Sequence, residues 1–195
     1  MILNQTFNDQ AALAEAWENR VADEATLHPV SYANCVVTKP WGYEFEMFDD
    51  TKHALWLLHI NAQRATSLHC HMHKTASFLP LSDGFQIVTL SGVIPLELGL
   101  KVVAKPGVFH SVWNSAMTDG ELIEVENPSI KTDLIRAQDA WGRQKQGYEG
   151  EKHIVRTGLE TYGYCQLKEH YPVFRLGHKI EVDDEGFHVR RMVNA

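Results

Sequence analysis

Between Cys35 and about Pro128, short runs rich in β-branched and aromatic residues recur along the chain: CVVT, YEFEMF, ALWLLHI, FQIVTL, LKVVA, FHSVW and ELIEVE. Turn-forming pairs separate them, among them Lys39-Pro40, Asp49-Asp50, Asp83-Gly84, Ser91-Gly92, Pro106-Gly107 and Asp119-Gly120. Many short strands at this spacing predict an antiparallel sandwich or small barrel over residues 35–128. Ahead of it, Asn8 to Glu24 is rich in helix formers, and Leu13, Trp17 and Val21 recur every four residues. That stripe predicts one amphipathic helix with Asn8 as its N-cap, within an N-terminal helical extension over 1–34. Past the barrel, Ile130 to Trp141 is expected to form a short helix. Residues 129–195 read as a C-terminal extension packing on the barrel, with a few further strands.

At 195 residues the chain is sized for one domain able to bury a sizeable core. Its 44% hydrophobic and 22% charged content is that of an ordinary soluble globular protein. Eighteen basic against 25 acidic residues give a formal net charge of −7. That balance argues against nucleic acid and against an anionic membrane surface as partners, since both call for a basic face. No apolar run approaches the length of a membrane span. The start, MILNQTFNDQ, has neither the basic opening nor the apolar core of a signal peptide. Three widely spaced cysteines, Cys35, Cys70 and Cys165, do not suggest a disulfide framework. A cytoplasmic location is the expectation.

The chemistry concentrates in Ser67-Leu68-His69-Cys70-His71-Met72-His73-Lys74. On a strand, alternate side chains share a face, so Ser67, His69, His71 and His73 point one way and Leu68, Cys70 and Met72 the other. The apolar set can pack in one layer while the imidazoles converge from the other side. A second segment, PGVFHSVWN from Pro106 to Asn114, is a tight turn leading into a strand with His110 early on it. Placed opposite the first strand, His110 completes a three-imidazole set suited to one divalent transition metal: zinc, iron, nickel or manganese. A row of solvated surface histidines is the plainer alternative.

These two segments together resemble the cupin superfamily, with its HxH motif followed by a glutamate and a glycine, then PxGxxH and an asparagine. His69 and His71 match the first motif, with Gly84 as its turn glycine. Pro106, Gly107, His110 and Asn114 match the second, with Ala104 or Lys105 at its first proline position, and Gly99 fits the glycine placed before it. The resemblance covers roughly residues 36–128. It implies a mainly β fold, a double-stranded β-helix or jelly-roll barrel, with His69, His71 and His110 as metal ligands. One departure stands out. The family glutamate should fall near Thr75 to Ser77, and KTAS holds no carboxylate. His73, on the same face, is the next candidate ligand, and Glu44, Glu124 and Glu126 are candidates to supply the carboxylate or to act as general base.

The flanks add a weaker likeness. KPWGYE, from Lys39 to Glu44, resembles the opening of cupins related to phosphomannose isomerase and to mannose-1-phosphate guanylyltransferase C-terminal domains. The run from Glu124 to Gly150, with Lys131, Asp133, Leu134, Arg136, Asp139, Gly142, Arg143 and Tyr148, resembles a segment of small cupins of bacterial surface-polysaccharide synthesis. The implied ligand is a sugar phosphate or nucleotide sugar. Lys39, Arg64, Lys74 and Lys105 are candidates to neutralise its anionic group, and Trp41, Trp56 and Trp113 to stack on its ring. Three functions stay open: a metal-dependent sugar or sugar-phosphate isomerase or epimerase, a non-catalytic sugar- or small-acid-binding module, and a metal-dependent dioxygenase. Resemblance to other small cupins also implies a homodimer.

Overall fold

The computed structural model describes residues 1–18, 31–143, 148–149 and 151–192. In chain order the elements are β1 (Ile2–Leu3), α1 (Phe7–Glu18), β2 (Val36–Lys39), β3 (Gly42–Asp49), β4 (Ala54–Ile60), β5 (Leu68–Cys70), β6 (Thr75–Pro80), β7 (Phe85–Thr89) and β8 (Gly92–Leu96). There follow β9 (Val102–Ala104), β10 (His110–Asn114), β11 (Gly120–Asn127), β12 (Ile135–Gln138), β13 (Ile154–Val155), β14 (Val173–Arg175), β15 (His178–Asp183) and β16 (Gly186–Arg191). An eight-stranded sheet runs β1-β9-β6-β11-β4-β3-β2-β13, a five-stranded sheet β12-β5-β10-β7-β8, and a small third sheet β14-β15-β16. From β4 to β12 the chain passes back and forth between the two larger sheets.

The layers follow from the sequence pattern. Trp56, Leu58, Ile60, Phe78 and Leu122 of the eight-stranded sheet join Phe85, Ile87, Leu96 and Val112 of the five-stranded sheet in one buried cluster. The opposite face of the larger sheet carries Phe45, Met47, Leu55, Leu57 and Ile123, covered by Leu167, Ile180 and Val182 from the C-terminal part. Strand β4 is therefore covered on both sides, which is why ALWLLHI reads as a continuous apolar run instead of an alternating one. On the outer face of the five-stranded sheet, Leu68, Cys70, Phe109 and Ile135 receive Ala12, Leu13 and Ala16 of α1.

The fold is mainly β, as the sequence pattern indicates, but its two principal sheets remain separate rather than closing into one barrel. Four expectations change. The helix expected at Ile130–Trp141 is absent; that stretch turns and then forms β12, which pairs with β5 beside the histidines. The N-cap is Thr6, not Asn8: Thr6 Oγ1 accepts from the Asp9 amide at 3.3 Å, and Asp9 Oδ2 accepts from the Thr6 amide at 2.8 Å. Along α1, Leu13 packs inward but Trp17 is largely exposed, because a four-residue repeat drifts around a 3.6-residue helix; Val21 lies outside the described residues. Residues 35 and 128 also do not bound the sheets, since β1, β12 and β13 join them from the flanks. Cys35, Cys70 and Cys165 are all free thiols. Among the described residues no helix is long and apolar enough to cross a membrane.

Candidate metal centre

Strand pairing brings the histidines together. His110 on β10 lies directly opposite His69 on β5 in the antiparallel register, so their side chains rise from the same face. His71 follows just past the end of β5, where its carbonyl accepts from the Gly107 amide at 2.7 Å. Gly107 makes this approach with φ of 77°, a left-handed conformation that favours glycine. The ring centroids lie 5.0 Å (His69–His71), 4.7 Å (His69–His110) and 5.2 Å (His71–His110) apart. One ligand atom from each lies within 4.8 Å of the others.

Each ring is pinned through Nδ1 to a backbone carbonyl: His69 to Ser67 at 2.8 Å, His71 to Asp133 at 2.5 Å, His110 to Val108 at 2.9 Å. A carbonyl only accepts, so each Nδ1 carries the proton and each Nε2 presents a lone pair. The Nε2 atoms of His71 and His110 are buried with no protein partner among the described residues. Burial holds all three rings in the neutral form that binds metal. It depresses His69 and His71 well below the ordinary histidine range, with His110 adding to the effect at His69 and Lys74 at His71, and it pushes His110 down to about 4. A donor set of three neutral imidazoles with two orphaned, buried lone pairs fits a divalent transition metal.

Asp133 holds this arrangement from the segment after the barrel. Its carboxylate accepts from the amides of Met72, His73 and Lys74 at 2.8, 2.7 and 3.0 Å, while its carbonyl orients His71. The strand has ended at Cys70, and the bend at Met72–His73 breaks the two-residue alternation. His73 is consequently exposed and outside the histidine cluster, and Lys74 turns inward, 1% exposed. The expectation that His73 continues the metal face is corrected on that ground.

The three candidate carboxylates all reach the same cavity as His69 and His71. Glu44 is clamped by Lys39 at 3.2 Å and Lys131 at 3.3 Å and accepts from the Tyr148 hydroxyl; these contacts outweigh its burial and hold it at about 2. Glu126 pairs with Lys74 at 2.8 Å and Lys131 at 3.2 Å; its burial is likewise overcome by Lys131 and Lys74, and it is lowered. Glu124, two residues earlier on the same face of β11, differs. Burial and the adjacent Glu126 charge outweigh Lys131 and push it up to about 7. One carboxyl of the three is thus poised to exchange a proton near neutral pH.

Lys39, Trp41 and Lys74 also line the cavity, whereas Arg64 is exposed and Trp113 lies on the outer side of β10, one residue out of phase with Val112 and Asn114. Lys105 is exposed as well, and Trp56 is buried beneath Lys131, whose Nζ sits 3.6 Å from its ring centroid. Asn114 serves the fold, donating to the carbonyls of Ile60 and Thr118 at 2.9 Å each. Residue-type reasoning missed the cavity's wall from beyond the barrel: Lys131, Arg136, Arg143, Tyr148 and Glu149. Its available signal was the likeness of the 124–150 run. Arg136 sits opposite His69 on β12, and Glu149 binds Lys39, Arg136 and Arg143 together.

No protein-family model matches the chain, and no curated protein does. Solved structures do resemble it. One is an uncharacterized conserved protein with a double-stranded β-helix domain from Klebsiella pneumoniae subsp. pneumoniae, 17% identical over 56% of this chain and 90% of that one, with a TM-score of 0.41. The capsular polysaccharide assembling protein CapF from Staphylococcus aureus is 18% identical over 53% of this chain, with a TM-score of 0.45; the match spans only 32% of CapF. A sugar phosphate isomerase from a cupin superfamily, from Silicibacter pomeroyi, is 12% identical over 78% of this chain and 80% of that one, with a TM-score of 0.43. The neighbours are double-stranded β-helix and cupin proteins. At such identities and TM-scores they carry no chemistry, which rests on the side chains described above.

Proposed function

We propose that this chain is a metal-dependent proton-transfer enzyme of double-stranded β-helix architecture, an isomerase or epimerase acting on a sugar or sugar phosphate. The observation that carries the reading is a cluster of three neutral imidazoles, two of which, His69 and His71, line the same cavity as a carboxyl, Glu124, balanced between its two protonation states. His69, His71 and His110 would hold the metal, which when bound polarises a substrate carbonyl. In an isomerisation Glu124 takes a proton from the carbon beside that carbonyl and returns it to the carbonyl carbon on the same face, while the hydroxyl proton passes between the two oxygens; an epimerisation needs a second acid, such as a water, on the opposite face. Glu44 and Glu126 are tied to lysines and keep their charge, so they shape the field around the reacting atoms instead of exchanging protons. Lys39, Arg136 and Arg143 line the same cavity and suit an anionic substituent such as a phosphate.

Two measurements test this. Elemental analysis of untagged protein should show near-stoichiometric metal that is lost in His110→Ala. Aldose and ketose phosphates incubated with the metal-loaded protein in D2O should then take up solvent deuterium beside the carbonyl. Glu124→Gln should slow that exchange by roughly 10²–10⁴-fold with metal content unchanged. Metal without exchange on any such sugar would leave a ligand-binding module. Metal absent even after reconstitution would sink the enzyme reading altogether.

A further inference from the structure

Lys74 is the least expected ion in the cavity. Its side chain is 1% exposed, and its Nζ donates to Glu126 Oε1 at 2.8 Å, the one acceptor shown for it among the described residues. An ammonium carries three N–H donors, so this bond leaves two for acceptors other than Glu126, and a buried donor without an acceptor is costly. The backbone from which it projects is fixed, because the Asp133 carboxylate accepts from the amides of Met72, His73 and Lys74.

The charges around it are uneven. The three histidines are neutral and bring no negative charge to a bound dication. Glu126 Oε1 is shared between Lys74 and Lys131, and Lys131 is held by Glu44 as well, whereas Lys74 has Glu126 alone among the described residues. The cavity is lined by five cations (Lys39, Lys74, Lys131, Arg136 and Arg143) against four carboxyls (Glu44, Glu124, Glu126 and Glu149), of which Glu124 is pushed up to about 7, and the buried Nε2 atoms of His71 and His110 have no protein partner among the described residues. A neutral hydroxyl matches this environment poorly; an oxyanion matches it in charge and in accepting capacity.

We infer that Lys74 is a ligand-binding residue, and that the centre selects ligands presenting an anionic oxygen, a carboxylate or a deprotonated hydroxyl, which accepts from Lys74 Nζ beside His69, His71 and His110. This rests on the metal-centre reading above and narrows it: the group next to the reacting carbon is acidic, in addition to any phosphate held elsewhere in the cavity. Glu126 acts as the competing acceptor, so it sets how much of the Lys74 donor capacity reaches the ligand.

The test uses the full chain loaded with Co2+, whose visible spectrum reports on its surroundings, titrated with formate as the smallest carboxylate. Lys74→Gln should weaken formate binding by about 10- to 100-fold, the range of a charged hydrogen bond in a buried site. Glu126→Gln, which removes the competing charge, should tighten it. Equal formate affinity in the wild type and both variants overturns the inference, as does a neutral polyol that binds as tightly as formate. Should Lys74→Gln fail to fold, Glu126→Gln decides alone, and no tightening overturns it. A wild-type protein that takes up no Co2+ refutes the metal centre instead, so the two failures are distinct.

Discussion

At the residue scale, burial decides which atoms are chemically available. The three histidines, drawn from strands that meet only through pairing, share one device: a backbone carbonyl takes the proton-bearing Nδ1, and Nε2 is left for the cavity. Their depressed affinities for protons set the sign of one prediction. An unfolded histidine binds its proton near pH 6.5, whereas folded His110 does so only near 4. Below the unfolded value the unfolded chain therefore takes up more protons than the native one. The contribution to stability is complete above about pH 6.5 and is lost as pH falls through about 4. Urea midpoints measured without metal should drop across that window, and the His110→Ala variant should show a shallower drop. Glu124 works in the opposite sense. Its raised value means that stability falls as pH rises from the ordinary glutamate range towards 7, and Glu124→Gln should be the more stable protein at pH 8.

At the element scale, short connections position what the strands present. The bend after β5 exists because Asp133 supplies three amides with acceptors, and its consequence is that Lys74, not His73, enters the cavity. Asp133→Ala keeps the backbone carbonyl that orients His71 but removes the carboxylate that holds the bend beside it, so it should lower the affinity for metal by about 10-fold, the low end for a group outside the ligand set, and also lower the melting temperature. Metal affinity from chelator competition, compared with that of the distant control Arg156→Ala, would expose a purely global effect. The entry to β10 is held similarly from α1. Asp9 Oδ1 accepts from the Phe109 amide at 2.9 Å, next to His110, while Asp9 Oδ2 closes the cap with Thr6. Thr6→Ala should cost about 1 kcal/mol in denaturant unfolding. Equal stability of that variant and the wild type would show the cap to be redundant with the packing of Leu13.

At the scale of the whole molecule, the C-terminal sheet seals the face of the eight-stranded sheet away from the cavity. Its anchoring contact is Arg175, whose Nε and Nη2 bind Glu121 Oε2 and Oε1 at 2.5 Å each, while Nη1 donates to the Gly163 carbonyl at 2.6 Å. Glu121 in turn faces His59, which stacks on Tyr43 with centroids 4.4 Å apart. Arg175→Met removes a two-pronged ion pair that is mostly shielded from water and should destabilise the fold by about 2–4 kcal/mol, read from denaturant unfolding. Cobalt binding at the histidines should be unchanged, because the contact lies on the other side of the larger sheet.

The sequence by itself determined the repeat of short strands, ALWLLHI among them, and the pairing of HxH with a histidine after a proline-glycine turn. These are local patterns: strand alternation sets which residues share a face, and glycine sets where the backbone can turn. Glu44, Glu124 and Glu126 could be nominated from their strands, but not ranked. Their ranking depends on which lysines stand beside each, and Lys131 comes from a segment whose pattern reads as helix yet folds as a turn and β12. Lys74 and His73 exchanged places because a bend fixed by Asp133, some sixty residues further along, overrode the alternation. The cavity's remaining wall, Arg136, Arg143, Tyr148 and Glu149, likewise arrives from beyond the barrel. Only tertiary structure decided these assignments, since a proton's position in a buried site is fixed by neighbouring charges and desolvation, and neither is a property of neighbours along the chain.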